Sequence, residues 1–77
     1  MKTDYTVDTV GKFCPVPIIE ASNKLKNMKI GETLTVISDD EGIKNDMPNW
    51  CSMTGNEYLG IAENDGEIKV FVKKVVG

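Results

Sequence analysis

The chain contains no histidine and no arginine. Without histidine, neither a Ser-His-Asp nor a Cys-His nucleophile can be assembled within it. Two cysteines and no histidine also exclude a Cys/His zinc site from one chain, and no metal is expected. Without arginine there is no bidentate guanidinium clamp for phosphate or carboxylate. The nine basic residues are lysines scattered from Lys2 to Lys74, set against 12 acidic residues for a net charge of −3. Nucleic-acid binding draws on clustered positive charge, so no direct nucleic-acid partner is expected. Neither GxGxxG nor GxxxxGK[ST] occurs, which removes both nucleotide fingerprints, and no cofactor is expected. No apolar run approaches the ~20 residues of a membrane span, and the N-terminal MKTDYTVD lacks a signal-peptide apolar core. The expectation is a cytoplasmic protein without a membrane partner, in which the two cysteines are thiols rather than a disulfide.

The 77 residues suggest one domain, 1–77, with no repeats, linker or low-complexity segment. A domain of this size buries only about 60% of its unfolded surface. It lacks room for both a large core and a deep enclosed pocket, so its chemistry should sit near the surface.

Tyr5-Thr6-Val7 is β-prone and predicts a first strand, with residues 8–11 leading into a loop. From Pro15 the period changes: Ile18, Ala21, Leu25 and Met28 share one helical face, and Lys29-Ile30-Gly31 offers a C-terminal stop. Residues 32–38 alternate as a strand. Ser38-Asp39-Asp40-Glu41 looks like an N-cap cluster, and Ile43, Met47, Trp50 and Cys51 then mark a second amphipathic helix. Pro48 falls inside that helix, which must either kink there or restart with Asp46 as a new cap. Thr54-Gly55-Asn56 closes it. Residues 57–63 and 67–76 read as two strands joined by Asn64-Asp65-Gly66, a strong hairpin signal. The order β-α-β-α-β-β in so short a chain predicts an α/β fold: a two-layer sandwich with a four-stranded mixed sheet and two helices on one face.

The stretch Gly11 to Leu25, GKFCPVPIIEASNKL, sets one cysteine against two prolines at a helix start. Proline suits the first helical turn, whose amides lack intrahelical acceptors. If Pro15 is the first helical residue, Cys14 is the N-cap, and its sulfur lies beside free amides and the positive end of the helix dipole. Both favour the thiolate, the nucleophilic form. Pro15 and Pro17 rigidify the turn, the Val16 N–H would point at the sulfur, and Lys12 is the nearest cation. The pattern describes an exposed, activated nucleophile without a histidine base. The plainer alternative is that Cys14 is a small buried hydrophobe and Pro-x-Pro only punctuates the loop.

Cys-Pro-x-Pro opening the first helix of an acidic β-α-β-α-β-β domain closely resembles the TusA-like, or SirA-like, sulfur-carrier family. The resemblance extends through GETLTVISDD and NDMPNWCSMTGNEYLG, with an Asp-x-Pro element and a downstream aromatic. It implies that Cys14 carries sulfane sulfur as a persulfide and that Pro15 and Pro17 are the motif prolines. It further implies that sulfur arrives from a donor protein of cysteine desulfurase or rhodanese type and leaves to a downstream acceptor protein. Family members serve tRNA thiolation, molybdenum-cofactor sulfuration, sulfur oxidation and sulfur uptake.

Other residues carry less. Cys51, on the apolar face of the second helix, reads first as a packing cysteine and second as a resolving thiol for Cys14. That second role needs Cα atoms within ~7 Å. Trp50 reads as core rather than docking surface, and Lys24, Lys26 and Lys29 as solubilising charges. Two rival functions remain beside the carrier: a binding or regulatory module, and a dithiol redox protein using Cys14 and Cys51.

Overall fold

The computed structural model describes residues 3–12 and 16–76. The elements follow in the order β1 (Tyr5–Asp8), α1 (Val16–Lys26), β2 (Thr33–Ser38), α2 (Ile43–Thr54), β3 (Glu57–Asn64) and β4 (Glu67–Lys73). They form one four-stranded sheet of order β1-β2-β4-β3. β1 and β2 are parallel, and the β2–β4 and β4–β3 pairs are antiparallel, so the sheet is mixed as expected.

Side-chain alternation in the strands decides where the core lies. Leu34 and Val36 of β2 and Ile68, Val70 and Val72 of β4 point to one face and are all fully buried. The register aligns them, with Leu34 opposite Val72 and Val36 opposite Val70. Ala21 and Leu25 of α1 and Ile43, Met47 and Cys51 of α2 pack on that same face. Both helices therefore cover one side, giving the two-layer sandwich. β2 and β4 take the central positions because they carry these apolar pairs. The edge strands β1 and β3 add partly buried Tyr5, Val7 and Tyr58.

Several local expectations are corrected. α1 ends at Lys26, not at Lys29-Ile30-Gly31. The chain turns early because its terminal carbonyls find another partner: the Lys74 ammonium donates to Leu25 O at 2.6 Å and to Met28 O at 2.8 Å. In the run Ser38-Asp39-Asp40-Glu41, Ser38 ends β2 and the three acids form a loop rather than an N-cap cluster. α2 is preceded by Gly42, without a side-chain cap. The polar side chains bond nearer neighbours: Asp40 Oδ1 accepts from Gly42 N–H, and Ser38 Oγ accepts from Asp40 N–H. Pro48 does not restart the helix, and α2 runs unbroken from Ile43 to Thr54 with Pro48 within it. β4 stops at Lys73 rather than Val76, because Lys74 leaves the ladder to bond α1 and, through its own backbone, Gly31 and Glu32.

The hairpin matches its signal. Asp65 and Gly66 have φ of 51° and 80°, the left-handed pair that a tight turn between right-twisted strands requires. Gly55 likewise closes α2, with its N–H on Cys51 O at 2.9 Å.

Candidate functional site

Cys14 lies outside the described residues, as do Phe13 and Pro15. What is described is the frame on either side. Because β1 and β2 are parallel, their C-terminal ends reach the same edge of the sheet, and the loops that leave them meet there.

The loop after β1 is held at every amide from residue 9 to residue 12. Thr9 is fully buried, and its N–H and Oγ1 both donate to Ile37 O, at 2.7 and 2.6 Å. Val10 N–H donates to Asp8 Oδ1 at 3.0 Å. Gly11 N–H donates to Asp39 Oδ1 at 3.1 Å, across to the loop after β2. Lys12 N–H donates to Thr9 O at 3.0 Å. Gly11 has φ of 84°, a left-handed conformation that a side chain would strain, which explains glycine three residues before the cysteine.

On the other side, α1 opens at Val16 with Val-Pro-Ile-Ile, and no acidic residue lies in its first turn. The positive end of the helix dipole therefore meets no carboxylate of its own first turn, a setting that favours a neighbouring thiolate. Pro17 is fully buried. It is a packing residue as well as a helix-start residue, a role the sequence reading had not given it. Val16 is exposed, together with Val10 at 48% and Ile19 at 50%. The segment bearing Cys14 is thus flanked by apolar surface. Lys12 Nζ lies 3.6 Å from Glu20 Oε1, so its charge is shared with α1 rather than free for an incoming anion.

Cys51 is placed in the core, 1% exposed. Burial pushes its thiol up to about 11, because the surrounding apolar side chains cannot solvate a thiolate. Trp50 is half-buried and packs against the core, while Met53 is 84% exposed. A shallow cleft of about 300 Å³ lies between Ser22, Leu25, Trp50, Thr54 and Lys74. It sits on the C-terminal half of α1, whereas Cys14 precedes the N-terminus of that helix. Lys24 Nζ stands 4.4 Å from the centre of the Tyr5 ring, a cation–π contact that gives this lysine a packing role beyond solubility.

Thr9 and Lys74 were not singled out from sequence, and Asp39 was read only as part of a helix cap. Each acts through a partner far along the chain, and no local pattern marks such a pairing.

A family model described as "Sulfurtransferase TusA" matches residues 5–74. A Bacillus subtilis protein named "Putative sulfur carrier protein YrkF" is 39% identical over 75 residues, covering 96% of this chain and 40% of that protein. An Aquifex aeolicus protein of the same description is 35% identical, covering 96% of this chain and 38% of its own length. This chain therefore spans about two-fifths of those relatives. An Archaeoglobus fulgidus relative so described is 33% identical, with 90% of this chain and 94% of that protein covered. The crystal structure of a SirA-like protein from Desulfitobacterium hafniense superposes with a TM-score of 0.82 at 26% identity, covering 94% of this chain and 99% of that one. With the β-α-β-α-β-β sandwich and the Cys-Pro-x-Pro segment inside the matched region, the chain belongs to the TusA sulfurtransferase family.

Proposed function

We propose that this protein is a sulfur carrier that accepts sulfane sulfur as a persulfide on Cys14 and relays it to an acceptor protein. The observation that carries this reading is the family match across residues 5–74, a span whose sequence includes Cys14-Pro15-Val16-Pro17. The donor is a persulfide-bearing protein of cysteine desulfurase or rhodanese type. The Cys14 thiolate attacks the outer sulfur of the donor's persulfide, a new S–S bond forms on Cys14, and the donor's cysteine leaves as a thiolate. The exchange is redox-neutral. It needs no general base once the nucleophile is ionised, which fits a chain without histidine. Transfer to the acceptor repeats the exchange with the roles reversed.

The surroundings suit this chemistry. In the sequence Cys14 falls between residues 9–12, whose amides are all hydrogen-bonded, and a helix whose first turn carries no acid. The exposed apolar side chains Val10, Val16 and Ile19 offer a surface on which another protein can seat while water is excluded from the exchanging sulfurs. Pairing of Cys14 with Cys51 is disfavoured by the burial of Cys51 and its raised thiol pKa.

The test is the intact mass after incubation with a cysteine desulfurase, cysteine and pyridoxal phosphate, with and without reductant. A reducible gain of one sulfur that maps to Cys14 and is lost in a folded Cys14→Ser variant is expected. A two-hydrogen loss linking Cys14 to Cys51 would move the protein to redox chemistry instead.

A further inference from the structure

The C-terminal turns of α1 and α2 both contribute to the cleft of about 300 Å³. Leu25, Trp50 and Val76 supply its apolar walls, and Lys26 and Lys74 are the charged groups among the described residues that line it. We propose that this cleft binds a small organic carboxylate, an anion with a compact apolar body. The proposal does not draw on the carrier reading above.

Hydrogen bonding at this end of the molecule uses up acceptors and leaves donors over. The last carbonyls of a helix carry negative partial charge and would repel an anion. Here they are engaged. Leu25 O and Met28 O accept from the Lys74 ammonium, Trp50 O accepts from Thr54 Oγ1 at 2.9 Å, and Cys51 O accepts from Gly55 N–H at 2.9 Å. The Lys74 ammonium has three N–H groups and donates two of them to those carbonyls. Asn56 Nδ2 donates one of its two hydrogens to Thr54 Oγ1 at 3.3 Å, while Asn56 Oδ1 is taken by Val75 N–H at 3.2 Å. The Trp50 indole N–H and the Lys26 ammonium have no hydrogen-bond or ion-pair partner among the described residues.

Charge and burial point the same way. Lys74 is 8% exposed, so its charge acts where water screens it least. No carboxylate lines the cleft among the described residues, so the two lysines set its sign. A carboxylate entering it meets donors, and its apolar body covers Leu25, Val76 and the Trp50 ring. A cationic ligand meets two ammonium groups instead. The volume lies at the lower end of small-molecule sites, which run from about 300 to 1,000 Å³, and this holds the ligand to a compact molecule.

The experiment titrates the full chain with phenylacetate and with its neutral counterpart phenylacetamide. The chain has one tryptophan, so the fluorescence of Trp50 reports on the cleft, and NMR follows the side-chain amide of Asn56 in parallel. Phenylacetate is expected to bind with a Kd of about 1 mM, the range open to a ligand of so few atoms. Phenylacetamide is expected to bind about tenfold more weakly, because hydrogen bonds to an ionised acceptor are roughly twice as strong as neutral ones. Lys26→Glu replaces an exposed cation of the lining with an acid and is expected to weaken phenylacetate about tenfold. Lys69→Glu makes the same change of net charge on β4, outside the lining, and is expected to stay within about twofold. Equal affinities for phenylacetate and phenylacetamide overturn the proposal and reduce the cleft to an apolar contact. Equal weakening by the two Glu variants also overturns it, since bulk charge then accounts for the binding. So does a parent chain in which neither Trp50 nor Asn56 responds at about 10 mM phenylacetate. Should Lys26→Glu fail to fold, the two probes on the parent chain still decide the matter.

Discussion

The ammonium of Lys74 lies 2.6 Å from the carbonyl oxygen of Leu25, buried at the C-terminal end of α1. A second bond of 2.8 Å runs to Met28 O, just past the end of α1, so Lys74 ties down the helix C-terminus and the turn that follows it, where Leu25 O also accepts the Met28 N–H. Its positive charge also opposes the negative end of the helix dipole. One side chain thus ends the last strand, ends the first helix and ties the two together across 49 residues.

Lys74→Met keeps the aliphatic stem and removes the donor. It is expected to destabilise the fold by about 2 kcal/mol, since hydrogen bonds to a charged group are worth about 1.5–3 kcal/mol and both carbonyls lose the ammonium. Lys69→Met serves as the control. Lys69 is exposed and its contact with Glu67 spans 3.8 Å, so the change should stay within about 0.5 kcal/mol. Urea unfolding of both variants checks this, and equal midpoints would remove Lys74 from the framework.

Pro17→Ala is expected to fold but to lose stability as well as transfer rate. The ring is fully buried, and deleting two carbons from a buried site costs about 1.5 kcal/mol. The more flexible unfolded chain adds up to about 1 kcal/mol. A variant as stable as the parent but slower in transfer would assign Pro17 wholly to presentation of the thiol.

Cys51 predicts an alkaline limit. Its thiol ionises near 9.0 when exposed and near 11 in the fold, because burial disfavours the thiolate. The unfolded chain therefore loses this proton first as pH rises. The stability that the buried thiol contributes is complete below pH 9 and is lost progressively between pH 9 and pH 11. Cys51→Ala should lose less stability than the parent between pH 8 and pH 10.5, by denaturant titration at each pH. Parallel losses would show that the tyrosines and lysines account for the whole slope. The same burial predicts that Cys51 resists iodoacetamide at pH 8 in the native state and reacts in urea.

The elements were legible where local rules govern them. The 3.6-residue spacing of Ile18, Ala21 and Leu25 marks α1, Gly55 marks the end of α2, and Asp65-Gly66 marks the hairpin. Their boundaries were less so where a distant group intervened. Lys29-Ile30-Gly31 looked like a helix stop, but Lys74 had already satisfied the carbonyls of Leu25 and Met28. Ser38 to Glu41 looked like a cap, but Ser38 and Asp40 bond the amides of Asp40 and Gly42, Asp39 bonds Gly11, and Glu41 pairs with Lys44.

By itself the sequence determined the order of elements, the apolar faces that meet in the core and the family to which Cys14-Pro15-Val16-Pro17 belongs. These rest on periodicity, turn chemistry and a short motif, all carried by residues within a few positions of one another. Only the tertiary structure decided that Pro17 packs in the core, that Cys51 is sealed within it, that Lys74 closes α1 and that Asp39 holds Gly11. These are contacts and burials created when β1 and β2 align in parallel and both helices settle on one face. Residues far apart in the chain then share a dry or crowded space, and that proximity sets their hydrogen bonds and their proton affinities.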